Sequence, residues 1–341
     1  MAKVHRIILL GFGTVAKGLC QIISDKHAEL MRSHHVDLRI VTVVTRSRGA
    51  MNNPDGIPIA ELLQLTEHSR PFSAHVVDWD TETAILNSTA DTVVELTHTN
   101  IDTGQPALSY CRAALNAGKH LVCGNKGPAT VAYTELSRLA QENNTRFLNE
   151  ATVLSGTPVL SLVRTVLAGN QITRIRGILN GATNFILTEM EAGSSSEAAL
   201  SEAEARGYLE ADHSADIDGL DAQAKLVILA NELMGLSLKP GDVKRSGIAD
   251  IRAVDIRTAA DEDMRWKLIG SIELTEQGAH AEVKPEKVSM NDPLAHVMGT
   301  TNSITLSTDL LGDVTISGPG AGSVETGYGV LSDLLTIISE V

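Results

Sequence analysis

The chain has 341 residues and a formal net charge of −14, from 42 acidic against 28 basic side chains. This balance excludes nucleic acid and an anionic membrane surface as the expected main partner and favours a small molecule. Of its residues 43% are hydrophobic but only 3% aromatic, so the core is expected to be built from Ala, Val, Ile and Leu, as where helices cover a parallel sheet. At this length two domains are the default.

Cys20, Cys111 and Cys123 show neither CxxC nor metal-ligand spacing, which points to reduced thiols and a cytoplasmic setting. No signal peptide precedes the first apolar run, and no uncharged stretch reaches the ~18–20 residues that a bilayer crossing needs.

Residues 4–10 read as a short central strand feeding into Gly11-Phe12-Gly13-Thr14-Val15-Ala16, a G-x-G-x-x-A turn. Residues 15–30 continue as a helix with Ala16, Leu19, Cys20, Ile23 and His27 on one face. Gly11 permits the tight turn, Gly13 leaves room for a pyrophosphate, and the helix start at Thr14 and Val15 turns backbone N–H groups toward the anion. The strand at 38–45 ends without the carboxylate that reads an NAD ribose. It runs instead into Thr45-Arg46-Ser47-Arg48, whose cationic and hydroxyl groups suit a 2′-phosphate, so NADP is expected with NAD as the alternative.

Strands at 91–95, 120–123 and 146–148 alternate with helices at 105–117 and 130–143, the pattern of a doubly wound nucleotide domain. Lys126, in the loop Gly124-Asn125-Lys126-Gly127-Pro128, falls just past the C-terminal end of a parallel strand, the edge where such sheets bind ligands. Leu154-Ser155-Gly156-Thr157-Pro158 leads to a helix reaching about residue 168 and marks the crossing to a second domain. A strand at 173–179 ends in Asn180-Gly181-Ala182-Thr183-Asn184, followed by helices at 185–191 and 197–205. Those turn residues suit either a zwitterionic substrate or plain turn and N-cap duty.

The most informative stretch is EADHSADIDGLDAQAK, residues 210–225, dense in carboxylates directly before an apolar helical run. A helix starting near Asp218 places Asp218, Asp221 and Lys225 on one face, with Asp221 one turn from Lys225. The ordinary reading of such a pair is an exposed ion pair worth a few tenths of a kcal/mol. Beyond it, residues 279–283 and 303–308 read as strands. A glycine-rich loop at 318–323 precedes a helix at 326–338 that is expected to return to the nucleotide domain.

Taken together, GFGTVAKGL, GKHLVCGNKGP, EATV, GILNGATNFIL, GYLEADHSADIDGLDAQAKLVIL and GPGAGSVET resemble homoserine dehydrogenases in order and spacing over almost the whole chain. The resemblance implies an α/β fold with a Rossmann-type doubly wound parallel sheet in residues 1–150. An α+β catalytic and dimerisation domain would span 151–315, and the C-terminal helix 316–341. It implies NAD(P)H-dependent interconversion of L-aspartate 4-semialdehyde and L-homoserine, on the route to threonine and methionine, by a homodimer.

Carried over residue by residue, the catalytic lysine falls on Lys225 and the second active-site lysine on Lys126, each ammonium disfavouring the other so that one pKa is lowered. Glu210 would receive the substrate ammonium, and Asp221 would hold the hydroxyl end and orient Lys225. Asp216 and Asp218 would support the loop, and Gly181 and Thr183 would line the substrate turn. Thr97, Asn100 and Glu325 would lie near the nicotinamide, and Arg46 near the ribose phosphate. Glu150, with carbonyls near Val153, Ser155 and Thr157, matches a structural sodium site.

Two departures stand out: Ala182 replaces the first threonine of the family's NGTTN turn, and the EATVGAGLP form becomes EATVLSGTP. The first leaves open an NADP-dependent reductase of the same fold acting on another small amino or hydroxy carbonyl compound. A non-catalytic nucleotide sensor is a third reading, against which the retained lysines and carboxylates speak. No segment matches the ACT regulatory domain of longer members, so threonine feedback through it is not expected.

Overall fold

A computed structural model describes residues 2–65, 71–209 and 213–340. The chain divides into two compact units, one of residues 1–156 with 321–341 and the other of residues 157–320.

The first unit is built on seven strands: β1 Lys3–Leu10, β2 Val36–Thr45, β3 Gly49–Asn52, β4 Val76–Val77, β5 Thr92–Glu95, β6 His120–Cys123 and β7 Phe147–Leu148. Their order is β4-β3-β2-β1-β5-β6-β7. The strands from β2 to β7 in that order pair in parallel, whereas β3 and β4 add as an antiparallel edge. Ile7, Ile8, Leu9 and Leu10 are all fully buried because the sheet is covered on both faces. Ile7 and Leu9 join one apolar cluster, Ile8 and Leu10 the other, as the two-residue period of a strand requires. The strand order reverses between β1 and β5, and that switch point opens the crevice where nucleotides bind in such sheets.

The helices are α1 Thr14–Ser33, α2 Ile59–Leu63, α3 Thr81–Asn87, α4 Ala107–Asn116 and α5 Lys126–Glu142. Ala16, Leu19, Cys20 and Ile23 form the buried stripe of α1, but His27 is exposed. The C-terminal helix Ser323–Glu340 belongs to this unit and crosses α1 at very short range. A Cβ on Gly18 would lie 1.9 Å from the Ser323 carbonyl oxygen, and one on Gly327 would lie 2.5 Å from the Leu19 nitrogen. Each helix presents a glycine where the other's backbone arrives.

The second unit holds β8 Ile172–Ile178, β9 Lys244–Arg245, β10 Met264–Thr275, β11 Gly278–Ser289, β12 Thr301–Thr308 and β13 Gly312–Pro319, ordered β13-β12-β8-β10-β11-β9. All pairings are antiparallel except β11 with β9. Its helices are α6 Gly181–Glu191, α7 Ser196–Ala205, α8 Ser214–Ile217, α9 Leu220–Leu233 and α10 Ala253–Asp261.

Several boundaries differ from the sequence reading, each for a local reason. Asn125 and Asn180 act as N-caps, so α5 starts at Lys126 and α6 at Gly181, several residues earlier than expected. Gly219 adopts φ +79°, which separates the short α8 from α9 and leaves Asp218 outside the second helix. The segment after Pro158 is π-helical over Leu162–Val166. Strand β10 was missed, and Gly318 and Pro319 close strand β13 where a loop was expected.

Candidate active site

In the second unit the chemistry gathers where β8 meets α6 and α9. Residues Asp221 to Asn231 of α9 are all buried, so the helix has no solvated face for its charges. Lys225 is 7% exposed and Asp221 8%, and the Lys225 Nζ lies 2.8 Å from Asp221 Oδ2. The ammonium also donates to the Leu179 carbonyl at 2.7 Å. The exposed-pair reading of this i, i+4 couple therefore fails: both groups are taken out of water, where their mutual attraction is strong and the loss of either is costly.

Asn180 organises the same spot. Its Oδ1 accepts from the Thr183 N–H at 2.9 Å and from the Thr183 hydroxyl at 2.9 Å, capping α6. Its Nδ2 donates to Asp216 Oδ1 at 2.7 Å and to Asp221 Oδ2 at 3.0 Å. One side chain thus caps the helix and also holds two carboxylates of the acidic segment. A Cβ on Gly181 would lie 2.6 Å from the Thr300 carbonyl, which explains glycine there. Ala182 is buried in the first turn of α6. Asp218 is exposed, its carbonyl taken by Arg245, and it stands apart from the Asp221–Lys225 face. Glu210 lies outside the described residues.

In the first unit, Gly11 has φ +89°, and a Cβ there would lie 2.5 Å from the Leu96 carbonyl, so only glycine suits this turn. A Cβ on Gly13 would meet nothing within 4 Å, and no side chain caps the first turn of α1. Open space against uncapped N–H groups at Thr14 and Val15 fits the pyrophosphate of a dinucleotide. The turn Arg46-Ser47-Arg48 joins β2 to β3. Arg46 is exposed there. Arg48 donates to the Phe12 carbonyl at 2.8 Å, with its guanidinium 5.7 Å from the Phe12 ring centre and 5.6 Å from that of Phe72.

Lys126 is partly exposed at the first position of α5. Thr97 follows the end of β5, and Asn100 lies in the loop beyond, its Oδ1 engaged by the Asp102 and Thr103 N–H groups at 3.1 and 3.0 Å. Glu325 is exposed near the start of the C-terminal helix. Glu150 and Val153 are fully buried, and the Glu150 N–H donates to Asp333 Oδ2 at 2.8 Å. Leu154 and Ser155 both have positive φ, 51° and 60°, an uncommon backbone for two successive non-glycine residues. The Ser155 hydroxyl lies 2.8 Å from that of Thr326. Thr157, in the second unit, donates to the Pro319 carbonyl at 3.2 Å. Among the described residues no three His, Cys, Asp or Glu side chains cluster to hold a metal, and no helix is long and apolar enough to cross a membrane.

Comparison with known proteins fixes what this arrangement belongs to. The model of the homoserine dehydrogenase NAD binding domain matches residues 11–150, and that of homoserine dehydrogenase matches residues 158–335. The chain belongs to the homoserine dehydrogenase family. An NAD(+)-dependent homoserine dehydrogenase of Pseudomonas canavaninivorans is 41% identical over 98% of this chain and 96% of its own length. A homoserine dehydrogenase of Methanocaldococcus jannaschii is 37% identical over 97% and 98%. A solved homoserine dehydrogenase from a hyperthermophilic archaeon, in complex with NADPH, superposes with a TM-score of 0.84 at 30% identity, covering 99% of each chain.

For this homoserine dehydrogenase chain, the sequence reading overlooked the setting of Arg48 and two buried ionisable residues, Glu95 and Lys267. Arg48 was noticed only as part of a cationic pair, and nothing local announces that it sits between two phenylalanine rings. Glu95 ends the apolar strand TVVE, where an acidic residue behind three buried ones was the available signal. Lys267 lies in MRWKLIGSIELT and is 1% exposed, donating to Asn184 Oδ1 at 2.9 Å. Desolvation lowers its pKa from 10.5 to about 8, against the pull of Glu191 and with a push from Arg265.

Proposed function

We propose that the protein interconverts L-aspartate 4-semialdehyde and L-homoserine with Lys225 as the proton-transfer group. The observation that carries this reading is the buried network in which Asp221 Oδ2 receives both the Lys225 ammonium and the Asn180 amide. A lysine held by a fixed carboxylate and a carbonyl is oriented, and an oriented amine donates a proton to a carbonyl oxygen or accepts one from a hydroxyl. The nicotinamide, when bound, supplies or takes up the hydride at the carbon. Asn180 and Asp216 brace the carboxylate, while Gly181 and Thr183 shape the substrate turn. Lys126, at the head of α5, takes the second lysine role implied by the family's NK motif. Glu210 is proposed for the substrate ammonium.

The cofactor is proposed to be NADP(H), supported by the absence of a carboxylate at the end of β2 and the presence there of Arg46 and Arg48. Gly11, Gly13, Thr14 and Val15 would cradle the pyrophosphate, with Thr97, Asn100 and Glu325 toward the nicotinamide. A sodium ion bound through Glu150, Val153, Ser155 and Thr157 is part of the proposal, supported by the paired positive-φ residues of that loop, which persist only where surroundings over-determine them. A homodimer working in the cytoplasm, toward threonine and methionine, completes it.

The test is the change in reduced-nicotinamide absorbance when purified protein is given L-homoserine with NADP⁺ and, separately, with NAD⁺ at mildly alkaline pH. Turnover faster with NADP⁺ is the expected result. Faster turnover with NAD⁺ would overturn the cofactor assignment, and none with either would overturn the substrate assignment.

A further inference from the structure

Glu95 ends β5 opposite Leu10 of β1, at the sheet edge that carries the glycine turn. It is fully buried. Its Oε1 accepts from the Thr97 N–H at 2.7 Å, from the Thr97 hydroxyl, and from Asn125 Nδ2 at 3.4 Å. Its Oε2 is buried with no hydrogen-bond partner among the described residues. Asn125 Nδ2 also donates to the Thr97 and His98 carbonyls at 3.1 and 3.3 Å, while its Oδ1 caps α5 by accepting the Gly127 N–H at 3.0 Å. The loop after β5 and the turn before α5 are packed just as closely along the backbone. A Cβ on Gly127 would lie 2.5 Å from the Asn100 carbonyl, which the Gly104 N–H meets at 2.9 Å.

A carboxyl wholly inside a protein, satisfied on one oxygen only, costs far more than an apolar residue of its size. Thr97 and Asn125 are the two residues it fastens, and they lead into Asn100 and Lys126. We infer that Glu95 is a positioning residue for the nicotinamide cofactor, its carboxyl locking the loop that carries Thr97 and Asn100 to the turn that carries Lys126. This deepens the NAD(P)-dependent reading above and rests on it. Only Oε1 accepts bonds, so a glutamine, whose carbonyl oxygen accepts in the same place, should do the same work without the charge. Burial raises the Glu95 pKa from 4.5 to about 7 against the donors from Thr97 and Asn125, so the uncharged form that glutamine imitates is populated at neutral pH.

The experiment compares Glu95→Ala, Glu95→Gln and Thr97→Val in the full chain. It measures the dissociation constant for NADPH and for NADH by nicotinamide fluorescence, then kcat and KM with L-homoserine. Glu95→Ala is expected to weaken binding of the preferred cofactor about tenfold and to lower kcat at saturation, and Glu95→Gln to stay within about twofold of the unmodified protein. Thr97→Val, which keeps the shape and loses one donor, should fall between. A folded Glu95→Ala that binds and turns over normally would overturn the inference. If Glu95→Ala does not fold, Thr97→Val decides: weakened cofactor binding supports the inference and unchanged binding overturns it. Failure of the unmodified protein to bind either cofactor would instead remove the nicotinamide reading on which the inference stands.

Discussion

Asn180 donates to Asp221 at 3.0 Å, to the same carboxylate oxygen that the Lys225 ammonium meets at 2.8 Å. A helix cap on one element thereby fixes the acceptor that fixes a lysine on another. Asn180→Ser separates the two duties, because serine caps a helix nearly as well as asparagine but has no amide to reach Asp216 and Asp221. Thermal melting of this variant is expected to stay near that of the unmodified protein, with kcat reduced and KM for homoserine less affected. Unchanged kcat would confine Asn180 to capping.

Lys225→Met should lower turnover by ~10²–10⁴-fold, the usual contribution of a positioned acid–base group, and leave cofactor affinity unchanged. It should also destabilise the fold by about 3–5 kcal/mol, because Asp221 is left buried without its cation. Combining it with Asp221→Asn should recover part of that stability and none of the activity. Urea unfolding beside steady-state rates reads both.

Glu95 gives a pH signature to stability. Its carboxyl titrates at about 7 in the fold against 4.5 for an ordinary glutamate. The folded state therefore holds the proton more tightly, and the stability this confers is complete below pH 4.5 and is lost as pH rises to about 7. Glu95→Gln should lack this decline, so the melting temperature of the variant relative to the unmodified protein should rise between pH 5 and pH 8. A constant difference across that range would refute the buried-carboxyl account.

Lys267 works in the opposite direction. Its pKa is depressed to about 8 from 10.5, so the fold holds this proton less tightly than the unfolded chain does. Stability from this group is present above pH 10.5 and is lost as pH falls to about 8. Lys267→Met should flatten that portion of the stability curve. It should also loosen the 297–301 turn, which Asn184 ties to α6 through the Val297, Gly299 and Thr301 carbonyls.

The two arginines after β2 make separable predictions. Arg46→Asp should weaken NADPH binding much more than NADH binding, whereas Arg48→Ala, which empties the space between Phe12 and Phe72, should weaken both about equally. Fluorescence titration with each cofactor distinguishes these outcomes. Equal losses in Arg46→Asp would leave the 2′-phosphate reading without support.

Much of this was legible in the sequence because its signals were local. The G-x-G-x-x-A turn carries its strand and helix beside it, and an i, i+4 Asp–Lys pair announces its own geometry. What stayed hidden depends on partners far along the chain. The burial of Lys225 depends on Leu179 and Asn180, and the link from Glu95 to Asn125 spans two loops of different strands. Helix starts were misplaced where a cap residue was read as part of a loop, at Asn125 and Asn180. The antiparallel β3 and β4 were missed because short edge strands carry little periodicity.

The nucleotide-binding unit is discontinuous along the chain: it is left at Gly156 and completed only from Ala321 onward. During synthesis, α1 is made with its glycine-bearing face at Gly18 uncovered, and the helix that covers it follows only after residues 157–320 of the second unit. The sheet can form meanwhile, but the finished apolar cluster, which includes Val330, Leu334 and Ile337, waits until the helix carrying them has been made. Final consolidation of this unit is thus timed by the synthesis of the segment from Ala321 onward, and a nascent chain stalled before residue 321 carries a core that still lacks one wall.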